Sequence, residues 1–316
     1  MQNNVFLALL STTFLIPGCM QIVQKPMVRH FDVRNTTTPA KPIQTAINIQ
    51  EAQPALPSIT IWVHGTRLLP DGMFEQFFFS KPGLNHYTSI DEKYHQRKLA
   101  ATLIEADPEQ FCAEYFYLFG WNGKLSFKER EIAARKLYLD LKQVRQEYKK
   151  KYGVEPFIRM LAHSHGGNVI LLLAQVKDSE DTSFFVNQLI LMGTPVQKQT
   201  KQYACANCFG KVYSLYSMLD ILQIIDPQGL QQKETQALFS ERFFPAHEKI
   251  EQVAIKLNNR SIMHIEFVKR KFMAQIPSII QEIDSWRQSA KLSESDWSKK
   301  DKCLCINTKS KLKILA

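Results

Sequence analysis

The chain has 316 residues, of which 45% are apolar, 11% aromatic and 22% charged. That mixture can bury a large core and excludes wholesale disorder or a collagen-like repeat. Its 40 Lys and Arg against 30 Asp and Glu leave a formal charge of +10, which admits nucleic acid or an anionic membrane surface as a partner until its distribution is considered.

Residues 5–17 form the only long apolar run, too short for a hydrocarbon core that needs about 20 residues but sufficient for the apolar part of a secretory signal. The run ends in Ile16-Pro17-Gly18-Cys19, which resembles the lipobox of bacterial lipoproteins, with Pro17 where Ala or Ser is usual and no Lys or Arg ahead of the run. The resemblance implies a signal peptide over 1–18, a lipid on Cys19 and a place in the bacterial cell envelope. An ordinary cleaved signal, giving a secreted or periplasmic protein, is the alternative. Residues 19–58 are expected to be a tether, because the stretch from Arg34 is rich in Thr, Pro, Gln and Asn and has no periodicity.

From Ile59 onward, short apolar runs alternate with amphipathic segments. Residues 59–64, 115–119, 157–163, 186–192, 212–218 and 253–257 read as buried strands, rich in β-branched and aromatic residues. Ser126 with Glu129 forms a capping box that opens a helix carrying Leu137, Leu141, Val144 and Tyr148 on one face. A second, apolar helix follows His165, and a third over 265–286 is expected to break near Pro277. The alternation predicts one α/β domain over 59–287, a mostly parallel sheet with helices on both faces. Residues 288–316 read as a polar, basic tail, loosely ordered apart from its cysteines. Much of the net charge lies in this tail and in the tether, where it would sit against anionic lipid. Elsewhere the cations are scattered, which argues against nucleic acid.

The most informative stretch is 157–167, FIRMLAHSHGG, an apolar strand running through Ser164 directly into an apolar helix. A serine on such a turn is lifted above the sheet, and the turn needs small residues two before and two after it, here Ala162 and Gly166. The helix N-terminus behind Ser164 adds free N–H groups where an oxyanion would form. The pattern resembles the nucleophile elbow of the α/β-hydrolase superfamily, lipase and esterase branch, with Ala in place of the first Gly. That resemblance implies the α/β-hydrolase fold and the chain order Ser, acid, His. It also implies an oxyanion hole from the N–H groups of Thr66, in His64-Gly65-Thr66, and of His165. Gly65 would let its loop pass close to the substrate, and His64 and His163 are assigned to scaffolding.

Asp220 follows the strand 212–218 and is assigned as the acid over Asp226, which precedes Pro227 and reads as a turn starter. His264 follows the last strand, at the carboxyl side from which a base must act, whereas His247 precedes that strand. The expected chemistry is attack of Ser164 on an ester carbonyl, with His264 as base and Asp220 orienting it, and with no metal or organic cofactor. An acyltransferase using the same triad and a non-catalytic binding protein of this fold are the alternatives. Gly193-Thr194-Pro195 forms either a plain turn or, through Thr194, part of the pocket. Phe77 and Phe78, in a run of four phenylalanines over 73–79, are either an acyl pocket or lid for lipid-like esters or a helix face that completes the core. Among Cys112, Cys205, Cys208, Cys303 and Cys305, disulfides between the last four are expected, a four-thiolate zinc site being the other reading.

Overall fold

The structure, a computed structural model, describes residues 26–33, 56–66, 81–177, 181, 183–224 and 241–308. The signal segment, Cys19, Phe77, Phe78 and Asp226 lie outside these residues. Among the described residues, no helix is long and apolar enough to cross a membrane.

The strands are β1 (Met27–Asp32), β2 (Ile59–Val63), β3 (Gly83–His86), β4 (Phe116–Gly120), β5 (Ile158–His163), β6 (Val186–Met192), β7 (Phe209–Tyr216), β8 (Ile250–Leu257), β9 (Arg260–Ser261) and β10 (Lys302–Asn307). The helices are α1 (His95–Ala106), α2 (Phe127–Tyr152), α3 (Gly166–Leu171), α4 (Leu173–Val176), α5 (Arg270–Met273), α6 (Ile276–Ser289) and α7 (Glu294–Ser298). The sheet runs β1-β10-β8-β7-β6-β5-β2-β4-β3, with β9 paired on β8. Its pairs are parallel except β3 on β4 and β9 on β8, so the expected α/β class and mostly parallel sheet hold.

Every residue of β2 and β5 is buried, as a parallel sheet covered on both faces requires. Alternate side chains go to opposite faces. Ile59, Ile61, Met160 and Leu189 pack with Leu137 and Leu141 of α2 and with Val169 and Leu173 of α3 and α4. On the other face, Trp62, Leu161, Ile190 and Leu215 pack with Leu99 and Leu103 of α1 and Ile276, Ile279 and Ile283 of α6. Ser126 caps α2 by accepting from the Glu129 N–H, while the Glu129 carboxylate takes the Asn122 amide instead of closing the box. Pro277 lies in the first turn of α6, where a missing N–H costs nothing, so the expected break is a helix start.

Two expectations about the chain's ends are corrected. Met27–Asp32, assigned to the tether, is the edge strand β1, and its Arg29 side chain pairs with Glu282 of α6. Lys302–Asn307, assigned to a loose tail, is β10, inserted between β1 and β8. Leu304 and Ile306 join one face of the core, and Cys303 and Cys305 meet Tyr216 and Ala254 on the other. The sheet therefore extends beyond 59–287 at both ends. The expected disulfides are also corrected, since all five described cysteines are free thiols. Cys205 and Cys208 pack on a different core cluster from Cys303 and Cys305, which separates the two pairs.

Candidate active site

Ser164 sits between β5 and α3 with φ of +55°, a left-handed conformation that a non-glycine residue adopts only under constraint. The constraint is visible on both sides. Its N–H donates to the Met192 carbonyl at the end of β6 (3.0 Å), and its carbonyl accepts from the Gly167 N–H (3.0 Å). The turn also leaves no room for side chains around it. A Cβ on Gly166 would lie 2.5 Å from the carbonyl oxygens of Val63 and His64, and one on Gly65 would lie 2.8 Å from the Ser164 Cβ. Gly65 thus brings the loop after β2 into contact with the serine, and Thr66 follows it.

Asp220 and His264 meet at 2.7 Å, Oδ2 against Nδ1, with the Asp220 side chain fully buried. A carboxylate only accepts, so Nδ1 carries a proton and donates it to Asp220, which leaves Nε2 as the ring nitrogen that can take one up. The other oxygen of Asp220 accepts from the Gln223 N–H (3.0 Å), and the Gln223 amide donates to the Thr194 carbonyl (3.0 Å). His264 opens a single 3-10 turn, His264–Val268, that is fixed from several directions. Glu266 binds Arg260 through both oxygens (2.7 and 3.0 Å) and accepts from the Met263 N–H, His95 donates to the Val268 carbonyl (2.7 Å), and His163 donates to the carbonyl of His264 itself (3.0 Å).

His64 holds the loop after β2. Its Nε2 accepts from the Trp121 N–H (3.3 Å), its Nδ1 donates to the Gly65 carbonyl (2.8 Å), and its ring stacks on Trp121. Burial keeps both His163 and His165 well below the ordinary imidazole pKa of 6.5, with the charges of His264 and Arg130, respectively, as the next causes. Thr66 and Thr194 are buried, and the Oγ1 of each has no hydrogen-bond partner.

The structure gathers Ser164, His165, Gly65, Thr66, Thr194, Asp220 and His264 at the carboxyl ends of β2, β5, β6, β7 and β8. His247 lies before β8 at the opposite end, where its ring accepts from the Lys249 N–H. Gly193 is a participant that its turn motif alone does not reveal. Its φ is +57°, and a Cβ there would lie 2.8 Å from Asp220 Oδ2 and 3.2 Å from His264 Nδ1. Asn168 is another, donating to the Pro195 carbonyl (3.0 Å); its signal is a lone amide inside the apolar helix GGNVILLL.

No protein-family model and no curated protein matches the chain. Among solved structures that resemble it, the product of a Listeria innocua gene is 11% identical over 80% of this chain and 99% of that one, with a TM-score of 0.37. An esterase from Pyrococcus furiosus is 12% identical over 73% and 84%, TM-score 0.39, and an esterase domain of a Rhodothermus marinus protein is 13% identical over 74% and 88%, TM-score 0.36. Likeness this distant leaves the chemistry to be argued from the chain itself.

Proposed function

We propose that the protein is a serine hydrolase of carboxylic esters in which Ser164 is the nucleophile, His264 the general base and Asp220 the residue that orients it. The observation that carries this reading is the buried 2.7 Å pair of Asp220 and His264, tied through the His264 carbonyl to His163, the residue before a serine in a left-handed strand-to-helix turn. Nε2 of His264 takes the Ser164 proton as Oγ attacks the ester carbonyl, and Asp220 stabilises the imidazolium that forms. The N–H groups of Thr66 and His165, the latter at the start of α3, receive the oxyanion. The alkoxide leaves with the proton from His264, and a water activated by the same Nε2 releases the acid.

The substrate class is an acyl or lipid-like ester, an assignment supported by exposed Met218, Leu219, Ile221, Leu222, Met263 and Ile265 beside the acid and the base. The lipobox-like Ile16-Pro17-Gly18-Cys19 supports a lipid anchor at Cys19 and a cell-envelope location.

A fluorophosphonate probe tests the nucleophile: wild type should be labelled and Ser164→Ala should not, and persistent labelling of the variant overturns the assignment. A chain-length series of p-nitrophenyl esters reads activity and acyl preference together. Cys19→Ser should release the protein from the membrane fraction.

A further inference from the structure

We propose that Arg242 is a positioning residue for Asp220, its guanidinium clamping the loop that presents the acid to His264; the proposal rests on the triad read above. After β7 the chain leaves the sheet, and the segment 217–224 turns on its own short hydrogen bonds, such as Asp220 N–H to Ser217 carbonyl (3.1 Å). Its apolar side chains contribute little to holding it. Met218, Leu219, Ile221 and Leu222 are 42% to 61% exposed, so the loop lacks the buried apolar surface that normally fixes a backbone.

Arg242 supplies what is missing. Nη1 donates to the carbonyls of Ser217 and Asp220 (2.8 Å to the latter), and Nη2 donates to the carbonyl of Met218 (3.2 Å). Three carbonyls within four residues thus converge on one rigid planar cation, a geometry that a lysine ammonium cannot reproduce. Arg242 is itself well anchored. Glu241 exchanges two backbone hydrogen bonds with Val196 (3.0 and 2.9 Å), and the Phe243 ring meets Tyr216 edge-on at 5.1 Å. Residues 241–243 therefore tie the turn after β6 to the end of β7. Burial lowers the pKa of Arg242 and the Asp220 charge acts against that fall, so the guanidinium stays charged.

A displaced loop would reach the base by two routes, the Asp220–His264 bond and the Ser217 hydroxyl, which donates to the Ile262 carbonyl two residues before His264. Arg242 touches no reacting atom and acts through these contacts.

The test is steady-state hydrolysis of a short-chain p-nitrophenyl ester by Arg242→Ala, Arg242→Lys and, as a control, Asp220→Asn. Arg242→Ala should lower kcat about ten- to a hundredfold with KM within about twofold, the scale of a catalytic group misplaced by about 1 Å. Millimolar guanidinium ion should restore part of kcat in Arg242→Ala and none in Asp220→Asn, and Arg242→Lys should fall between wild type and Arg242→Ala. The proposal is overturned if Arg242→Ala keeps wild-type kcat. It is also overturned if the loss follows a lowered Tm and guanidinium does not reverse it. Wild-type turnover in Asp220→Asn would instead remove the triad reading itself.

Discussion

The imidazole of His163, the residue before Ser164, donates to the main-chain carbonyl of His264 at 3.0 Å, with the two ring centroids 4.3 Å apart. A carbonyl only accepts, so Nε2 of His163 carries a proton, and burial, which holds the ring's pKa well below 6.5, keeps it neutral at pH 7. Ser164 and His264 are therefore joined through His163, a side chain that takes no part in the proposed proton transfer. His163→Ala should lower kcat about tenfold, the lower end of what misplacing a catalytic group costs, and His163→Gln, which keeps an N–H donor, should lose less. Equal kcat in wild type and His163→Ala would show that the contact does not position the base.

Neutrality of His163 and His165 has a consequence for stability. Both pKa values are depressed from 6.5, foremost by burial, so the unfolded chain binds protons that the folded one does not. By linkage, stability is fully present above the unfolded pKa and falls as pH drops below about 6.5, at up to about 1.4 kcal/mol per pH unit for each histidine. Urea midpoints measured from pH 8 to pH 5 should fall below pH 6.5, and the double variant His163→Gln, His165→Gln should fall less steeply. Parallel curves for the two proteins would rule these histidines out as the source.

Gly193 offers a direct steric test of the proposed pairing of Asp220 with His264 in turnover. In Gly193→Ala the new Cβ meets Asp220 Oδ2 and His264 Nδ1 at 2.8 and 3.2 Å, on a backbone whose φ of +57° already disfavours a side chain. Turnover should fall about a hundredfold, as expected for displacement of catalytic groups by about 1 Å, with the far-ultraviolet circular dichroism unchanged. Near-normal turnover would mean that the pair tolerates the displacement.

The Ser164 turn is legible in sequence because all its constraints are local: a continuous apolar strand, small residues at 162 and 166, and an apolar helix. Asp220 and His264 follow from strand order. What escapes is whatever depends on distant partners. β1 reads as tether because its exposure simply alternates, intermediate then exposed, along a six-residue edge strand. β10 reads as tail because its flanks are basic, although Lys302 is buried, beside Glu251 (3.7 Å) and under the Trp297 carbonyl (3.0 Å). Arg242 belongs to no motif and is found only through the three carbonyls it meets.

The same buried strand predicts that the C-terminal end is structural. Leu304 is fully buried between β1 and β8, so Leu304→Ala should cost about 2–5 kcal/mol, the range for a core Leu truncation. A chain ending at Asp301 should fail to fold, whereas one ending at Thr308 should keep both the fold and the proposed ester hydrolysis. Wild-type stability in Leu304→Ala would return this segment to the status of a tail.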